Sequence, residues 1–255
     1  MPSGTRFSTR TLATGILFGA LYALLKLVSF FPVIGSPGRF FSAADVVAPV
    51  FGVILEPVVA AVAVTVGTYL AVGVTGTTLF YGLDFVPALL DVLVIGLMIR
   101  GRRGVVVAVY AGLIGLFLVH PNAQDFEVIA IPALGGSMWV PFAWLHILCL
   151  LLLLSPLGQK AVNWTLELSP ARATAGVAVL CLVGTTLQHL AGSILFLSVL
   201  GLPRPSLTRL FEVAFSVYPV ERLTIAALAT VLGSLALKPL RNSGLLPREF
   251  RSIAR

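Results

Sequence analysis

The sequence is poor in charge. Asp, Glu, Lys and Arg make up 11% of its 255 residues, under half of the roughly 25% usual in soluble domains. So few polar groups cannot cover a water-soluble fold of this length. Cysteine is scarce as well, and Cys149 and Cys181 both lie inside apolar runs. That excludes a disulfide framework or a zinc-ligand pattern. Catalytic signatures are missing: the chain has no HExxH, no GxSxG, no P-loop and no aspartate-rich prenyl-binding motif. It is therefore read as a non-enzyme without a cofactor. No basic and aromatic stretch of the RNA-binding kind is present, so the net charge of +7 is assigned to cytoplasmic loops and not to nucleic acid. The alternating polarity of a transmembrane β-barrel is absent too.

What the sequence has is long apolar runs. Hydrophobic residues make up 58% of it and the mean hydropathy is +1.03. A helix needs roughly 20 apolar residues to cross about 30 Å of hydrocarbon, and in lipid the backbone must satisfy itself, which selects helices. The runs predict spans at 11–31, 45–56, 58–74, 85–100, 105–120, 138–155, 173–200 and 219–238. The first is read as an uncleaved span, because the run after Arg6 and Arg10 is too long for a signal peptide and no A-x-A site follows. Glu56-Pro57 interrupts 45–74, and proline cannot continue a helix interior without a kink. Two short helices in a hairpin are expected there.

Basic residues orient the bundle. With the N-terminus in the cytoplasm, twelve of the 17 Lys and Arg residues fall inside, among them Arg100, Arg102 and Arg103 of the loop RGRRG. Lys26 snorkels from the first span. The expected fold is an all-α integral membrane protein, a single transmembrane domain over 1–255. It is a bundle of about eight transmembrane helices (six to eight), with both termini cytoplasmic, in the plasma membrane among lipid. The outer side then carries the loops 32–44, 75–84, 121–137 and 201–218. They are unusually aromatic, with Phe40, Phe41, Phe80, Tyr81, Phe126, Trp139, Phe211, Phe215 and Tyr218 in or beside them. An interfacial belt explains such residues; lids folded over a site explain them equally.

Ionisable residues within spans are costly and mark function by default. Asp45 opens the second span and suits an N-cap. Asp84 opens the fourth, and Asp91 lies nearly two turns deeper on the same face. Glu221 and Arg222 begin the last span. His120 ends the fifth, His146 and His189 lie inside the sixth and seventh, and Gln188-His189 is a polar break in an apolar run. The candidate substrate-binding residues are Asp84, Asp91, His120, Trp139, Gln188, His189 and Glu221. In the first span Gly15, Gly19 and Ala23 recur every four residues, giving a face that admits a close helix. That helix belongs either to the same chain or to a partner protein.

The segment FSAADVVAPVFGVILEPVVAAVAVTVGTYLAVG resembles the N-terminal half of the substrate-binding S components of energy-coupling factor transporters. Ala44-Asp45 and Pro49 match that family's Asp–Pro segment. Gly15, Gly19 and Ala23 match its small-residue face, and Glu56-Pro57 stands where Gly-Pro is usual. The resemblance covers roughly residues 10–100. It implies capture of a vitamin or similar micronutrient at the outer face, with import through a separate transmembrane coupling subunit and ATPase subunits, and Gly15, Gly19 and Ala23 as the docking face. Two alternatives stand beside it. One is a membrane-embedded enzyme acting on lipid or isoprenoid substrates through Asp84, Asp91, His120 and His189. The other is a structural subunit of a larger complex.

Overall fold

The computed structural model describes residues 9–32, 40–123, 126–131, 136–243, 246 and 248–251. A helix occupies each of the eight predicted stretches. These are α1 (Thr9–Lys26), α2 (Ala43–Ile54), α3 (Pro57–Thr75), α4 (Val86–Ile99), α5 (Arg103–Leu118), α6 (Trp144–Leu154), α8 (Pro170–Val199) and α9 (Arg204–Ser243). Two more were not expected, α7 (Pro156–Leu166) and the short α10 (Arg248–Arg251). Arg6, Arg39 and Arg255 lie outside the described residues.

Local chemistry sets the boundaries. α3 begins with Pro57 in its first turn, where the missing amide costs nothing, and ends at Gly76 in the left-handed conformation. Leu55 and Glu56 between α2 and α3 are non-helical, so the expected hairpin of two helices forms. α7 starts where the Ser155 side chain caps the Leu157 amide and Pro156 occupies the first position. It bends 75° away from α6.

The faces of these helices identify the solvent. Ile16, Leu17 and Leu24 on α1, Val58 and Val62 on α3, Leu148 and Leu151 on α6, and Leu232 and Leu235 on α9 are all exposed. Apolar surface on that scale is foreign to a soluble monomer and is what lipid requires. Three helices are long and apolar enough to cross a bilayer alone: α3, α8 and residues Arg204–Arg241 of α9. A fourth span exists if α6 and α7 count as one bent element. The chain is a membrane-embedded, predominantly helical protein.

The shorter helices revise the expected spans. α2 has 12 residues, a rise of about 18 Å against about 30 Å of hydrocarbon. It is buried along nearly its whole length and packs against α1, α4, α8 and α9. It forms the core of the bundle and touches little lipid.

Three further boundaries differ from expectation. Helix α1 stops at Lys26, and β1 (Ser29–Pro32) pairs antiparallel with β2 (Phe40–Ser42). β3 (Phe126–Ile131) pairs with β4 (Gly136–Pro141), so helix α6 starts six residues later than the predicted span. The stretch 201–218 is not an outer loop, because α9 already begins at Arg204. Its buried side chains Leu207, Phe211 and Tyr218 recur at helical spacing, and a proline at 205 is tolerated in a first turn. Glu221 and Arg222 consequently sit mid-helix, just after Pro219.

Candidate functional site

One end of the bundle gathers the C-terminal ends of α1, α3 and α8 with the N-terminal ends of α2 and α4, the entry to α6 and the first half of α9. They enclose a cavity of about 390 Å³, within the range of small-molecule sites. The β1–β2 hairpin contributes Ser29, Phe40 and Phe41, and the α3–α4 connection contributes Thr77, Leu79, Phe80 and Asp84. Arginines hold the opposite end. Arg100 pairs with Glu56, and Arg103 donates to the carbonyls of Leu153 (2.6 Å) and Ser155 (2.9 Å). Arg241 donates to the carbonyls of Thr165 and Glu167.

Asp84 organises its own connection. Its carboxylate accepts from the amides of Leu79 (2.7 Å) and Phe80 (3.3 Å) and from the Thr78 hydroxyl. Tyr81 and Gly82 turn the chain at φ 49 and 97. Asp84 is thus a loop clamp just ahead of α4, and it holds Leu79 and Phe80 against the cavity. The N-cap of α2 is Ser42 and not Asp45, which closes a capping box from the third helical position: it accepts from the Ser42 amide (2.7 Å) and hydroxyl (3.0 Å). Its other oxygen accepts from Gln188 Nε2 at 2.7 Å, which ties α2 to α8.

Glu221 and Arg222 line the cavity from α9 and pair with each other. Arg222 has no exposed surface. It donates to Thr185 Oγ1 (3.3 Å), and its guanidinium lies over the Phe41 ring at 5.0 Å. Beside it runs an aromatic column. His189 stacks on Tyr218 with centroids 4.6 Å apart, and Tyr218 stacks on His146 at 5.5 Å. The two histidines share a hydrogen bond, His189 Nδ1 to His146 Nε2 at 3.2 Å. The Tyr218 hydroxyl donates to the Phe142 carbonyl at 2.7 Å.

Of the residues singled out in the sequence, Asp84, Gln188, His189 and Glu221 line this cavity. Asp91 does not. It is fully buried one turn below Pro87 and Ala88 of the wall. His120 lies elsewhere, bonded to the Asn122 amide and to Ser198 Oγ of α8. Trp139 is 69% exposed on β4 and is not part of the wall.

The small-residue face is spent inside the chain. A Cβ on Gly15 would rest on Val59 at 3.6 Å, and one on Gly19 on the Ala63 backbone at 3.5 Å. Both glycines are buried against α3, and Ala23 is half-buried. Of the two alternatives for this face, a helix of the same chain is the one that Gly15 and Gly19 meet.

Sequence reading did not select Lys26, Phe142 or Tyr218, which all line the cavity. The sequence reads Lys26 as snorkelling and Phe142 as part of a span. It reads Tyr218 as loop, although the spacing from Leu207 and Phe211 is a helical signal. Among the described residues no three His, Cys, Asp or Glu side chains gather to hold a metal ion. No family model, curated protein or solved structure matches the chain.

Proposed function

We propose that the chain is the substrate-binding membrane subunit of a small-molecule importer. It lies in the plasma membrane as a bundle of six to eight transmembrane helices, with both termini cytoplasmic, and captures its ligand in the cavity at the outer end. The cavity is the observation that carries this reading. It is of small-molecule size, and it lies at the end opposite Arg100, Arg103 and Arg241, as the positive-inside rule asks of an outer site. The aromatic walls suit a ligand with a flat ring, and Lys26, Gln188 and Arg222 supply polar recognition. Transport itself would need a coupling subunit and ATPase subunits, because the sequence has no nucleotide-binding motif. With Gly15 and Gly19 buried against α3, a coupling partner would meet another face.

Asp91 and His120 lie outside the cavity that Asp84 and His189 line, and the Asp84 carboxylate is taken up by its own loop, which speaks against acid–base chemistry by those four on one substrate. The test is to purify the full chain in mild detergent and identify any co-purifying small molecule by mass spectrometry. Ala214 lines the cavity from α9, so Ala214→Trp should fill it and expel the molecule. Repeated purification without a bound molecule would sink the proposal, as would one retained by Ala214→Trp.

A further inference from the structure

Asp91 presents an unusual situation. It lies in α4 with no exposed surface, and among the described residues no hydrogen-bond donor reaches either carboxylate oxygen. The fold makes room for it through Gly184 of α8, where a Cβ would collide with Asp91 Oδ1 and crowd Ile95. Titratable groups surround it on every side. Those in electrostatic reach are Tyr22 from α1, Asp45 from α2, Tyr110 from α5, Cys181 from α8 and Arg222 from α9. Their donors are engaged elsewhere or unengaged. Arg222 is bonded to Glu221 and Thr185, and the Tyr110 hydroxyl to the Val183 carbonyl. The Tyr22 hydroxyl and Gln188 Oε1 are also buried without a partner among the described residues.

The charges do not balance. Asp45, Asp91 and Glu221 are 5%, 0% and 7% exposed, and among the described residues the buried cation facing them is Arg222, with the half-buried Lys26 in the same cavity wall. Three carboxylates against two cations still leave one negative charge in a membrane interior, where unpaired charge is far more costly than at a surface. A bound cation would restore the balance. The donor here is a single carboxylate, unpartnered among the described residues, which suits a singly charged cation.

We infer that Asp91 is the centre of a monovalent-cation site, for a proton or a sodium ion, placed directly beneath the ligand cavity. Gln188 connects the two: it lines the cavity, its Nε2 holds Asp45, and its Oε1 is available. A ligand that draws on Gln188 or Arg222 changes the field at Asp91, so ligand capture and cation binding are linked.

The experiment uses the purified full chain and needs no ligand. Thermal unfolding is followed with sodium replacing potassium at constant ionic strength, and separately across a pH series. The proteins are the wild type, Asp91→Asn and Glu212→Gln, an exposed control on α9. A sodium site predicts that sodium raises the wild-type unfolding temperature by several degrees. A proton site predicts that the wild type loses stability as pH rises. In either case Asp91→Asn loses the response and Glu212→Gln keeps it. A wild type indifferent to both cations, or a response retained by Asp91→Asn, overturns the inference. Should Asp91→Asn fail to fold, infrared spectra of the wild type decide. A neutral-acid carbonyl band lost on alkalinisation, or a carboxylate band shifted by sodium, supports the site, and neither change refutes it. A cation response without any co-purified molecule would leave this inference standing while the importer reading fell.

Discussion

The contact between α1 and α3 allows a sharp test, because three glycines along it face different surroundings. A Cβ added to Gly67 would lie 2.6 Å from the Gly19 carbonyl oxygen and 2.9 Å from Tyr22 Cβ. Neither neighbour is the free end of a flexible side chain, so the helices must separate. A Cβ added to Gly15 or Gly19 finds ordinary contacts at 3.6 and 3.5 Å. Overpacking of this kind costs about 1–3 kcal/mol, while Ala gains about 1 kcal/mol over Gly in helix propensity. Gly67→Ala should therefore lose up to about 2 kcal/mol net, and lie about 1–3 kcal/mol below an alanine that meets no neighbour. Gly15→Ala and Gly19→Ala should be neutral or gain up to about 1 kcal/mol. The assay is thermal unfolding of the three variants in one detergent, with Gly112→Ala as a control that meets nothing within 4 Å. Gly67→Ala as stable as Gly112→Ala, which gains the same propensity without a clash, would refute the close approach of α1 and α3. Gly19→Ala as damaging as Gly67→Ala would mean that its face meets something other than Ala63.

Other perturbations follow from the buried polar contacts. Arg222→Met leaves Glu221, only 7% exposed, without its cation and should cost about 3–5 kcal/mol. Adding Glu221→Gln should recover part of that, as a double-mutant cycle in unfolding would show. Arg103→Ala removes charge-assisted bonds to Leu153 and Ser155 and should cost about 1.5–3 kcal/mol, with Arg103→Lys restoring only part of it. Arg100→Gln should change stability by less than about 1 kcal/mol, since Arg100 is 39% exposed. Tyr218→Phe deprives the buried Phe142 carbonyl of its donor and should cost about 1–3 kcal/mol, together with weaker retention of any co-purified molecule.

The helices were legible because run length alone signals them. Eight apolar stretches became eight helices, and Glu56-Pro57 broke where proline chemistry requires. What run length cannot convey is which helices face lipid. α2 is as apolar as α3, yet it is enclosed by four other helices, and hydropathy does not distinguish a lipid-facing residue from a core residue. The hairpins were hidden for the same reason. Ser29–Pro32 and Gly136–Pro141 continue apolar runs, so they read as helix ends. The first half of α9 was hidden by its polarity: Arg209 and Glu212 are exposed and lower the local hydropathy. At the site, single polar residues in apolar runs led to Asp84, Gln188, His189 and Glu221. The same rule also selected His120, whose polarity is spent tying α5 to α8. Lys26 was legible only as a charge, because its place in a cavity wall depends on hairpin β1–β2 turning back over α1.

The two ends of the bundle are fastened differently, and this bears on how the protein moves. Away from the cavity, Arg103 and Arg241 each clamp two backbone carbonyls of neighbouring elements, and Arg100 bridges to Glu56. At the rim of the cavity the corresponding arginine tie is Arg204 to the Pro121 carbonyl, on the exposed surface, while Gln188–Asp45 and Tyr218–Phe142 hold the deeper wall. Local opening free energies are lowest where fastening is sparse. Amide hydrogen exchange should accordingly be fastest in β2, the α3–α4 connection and the first turns of α9, and slowest around α7. The floor of the protein acts as a fixed frame while the mouth breathes. A ligand could then enter and leave without unfastening the helices that hold Asp91 in place.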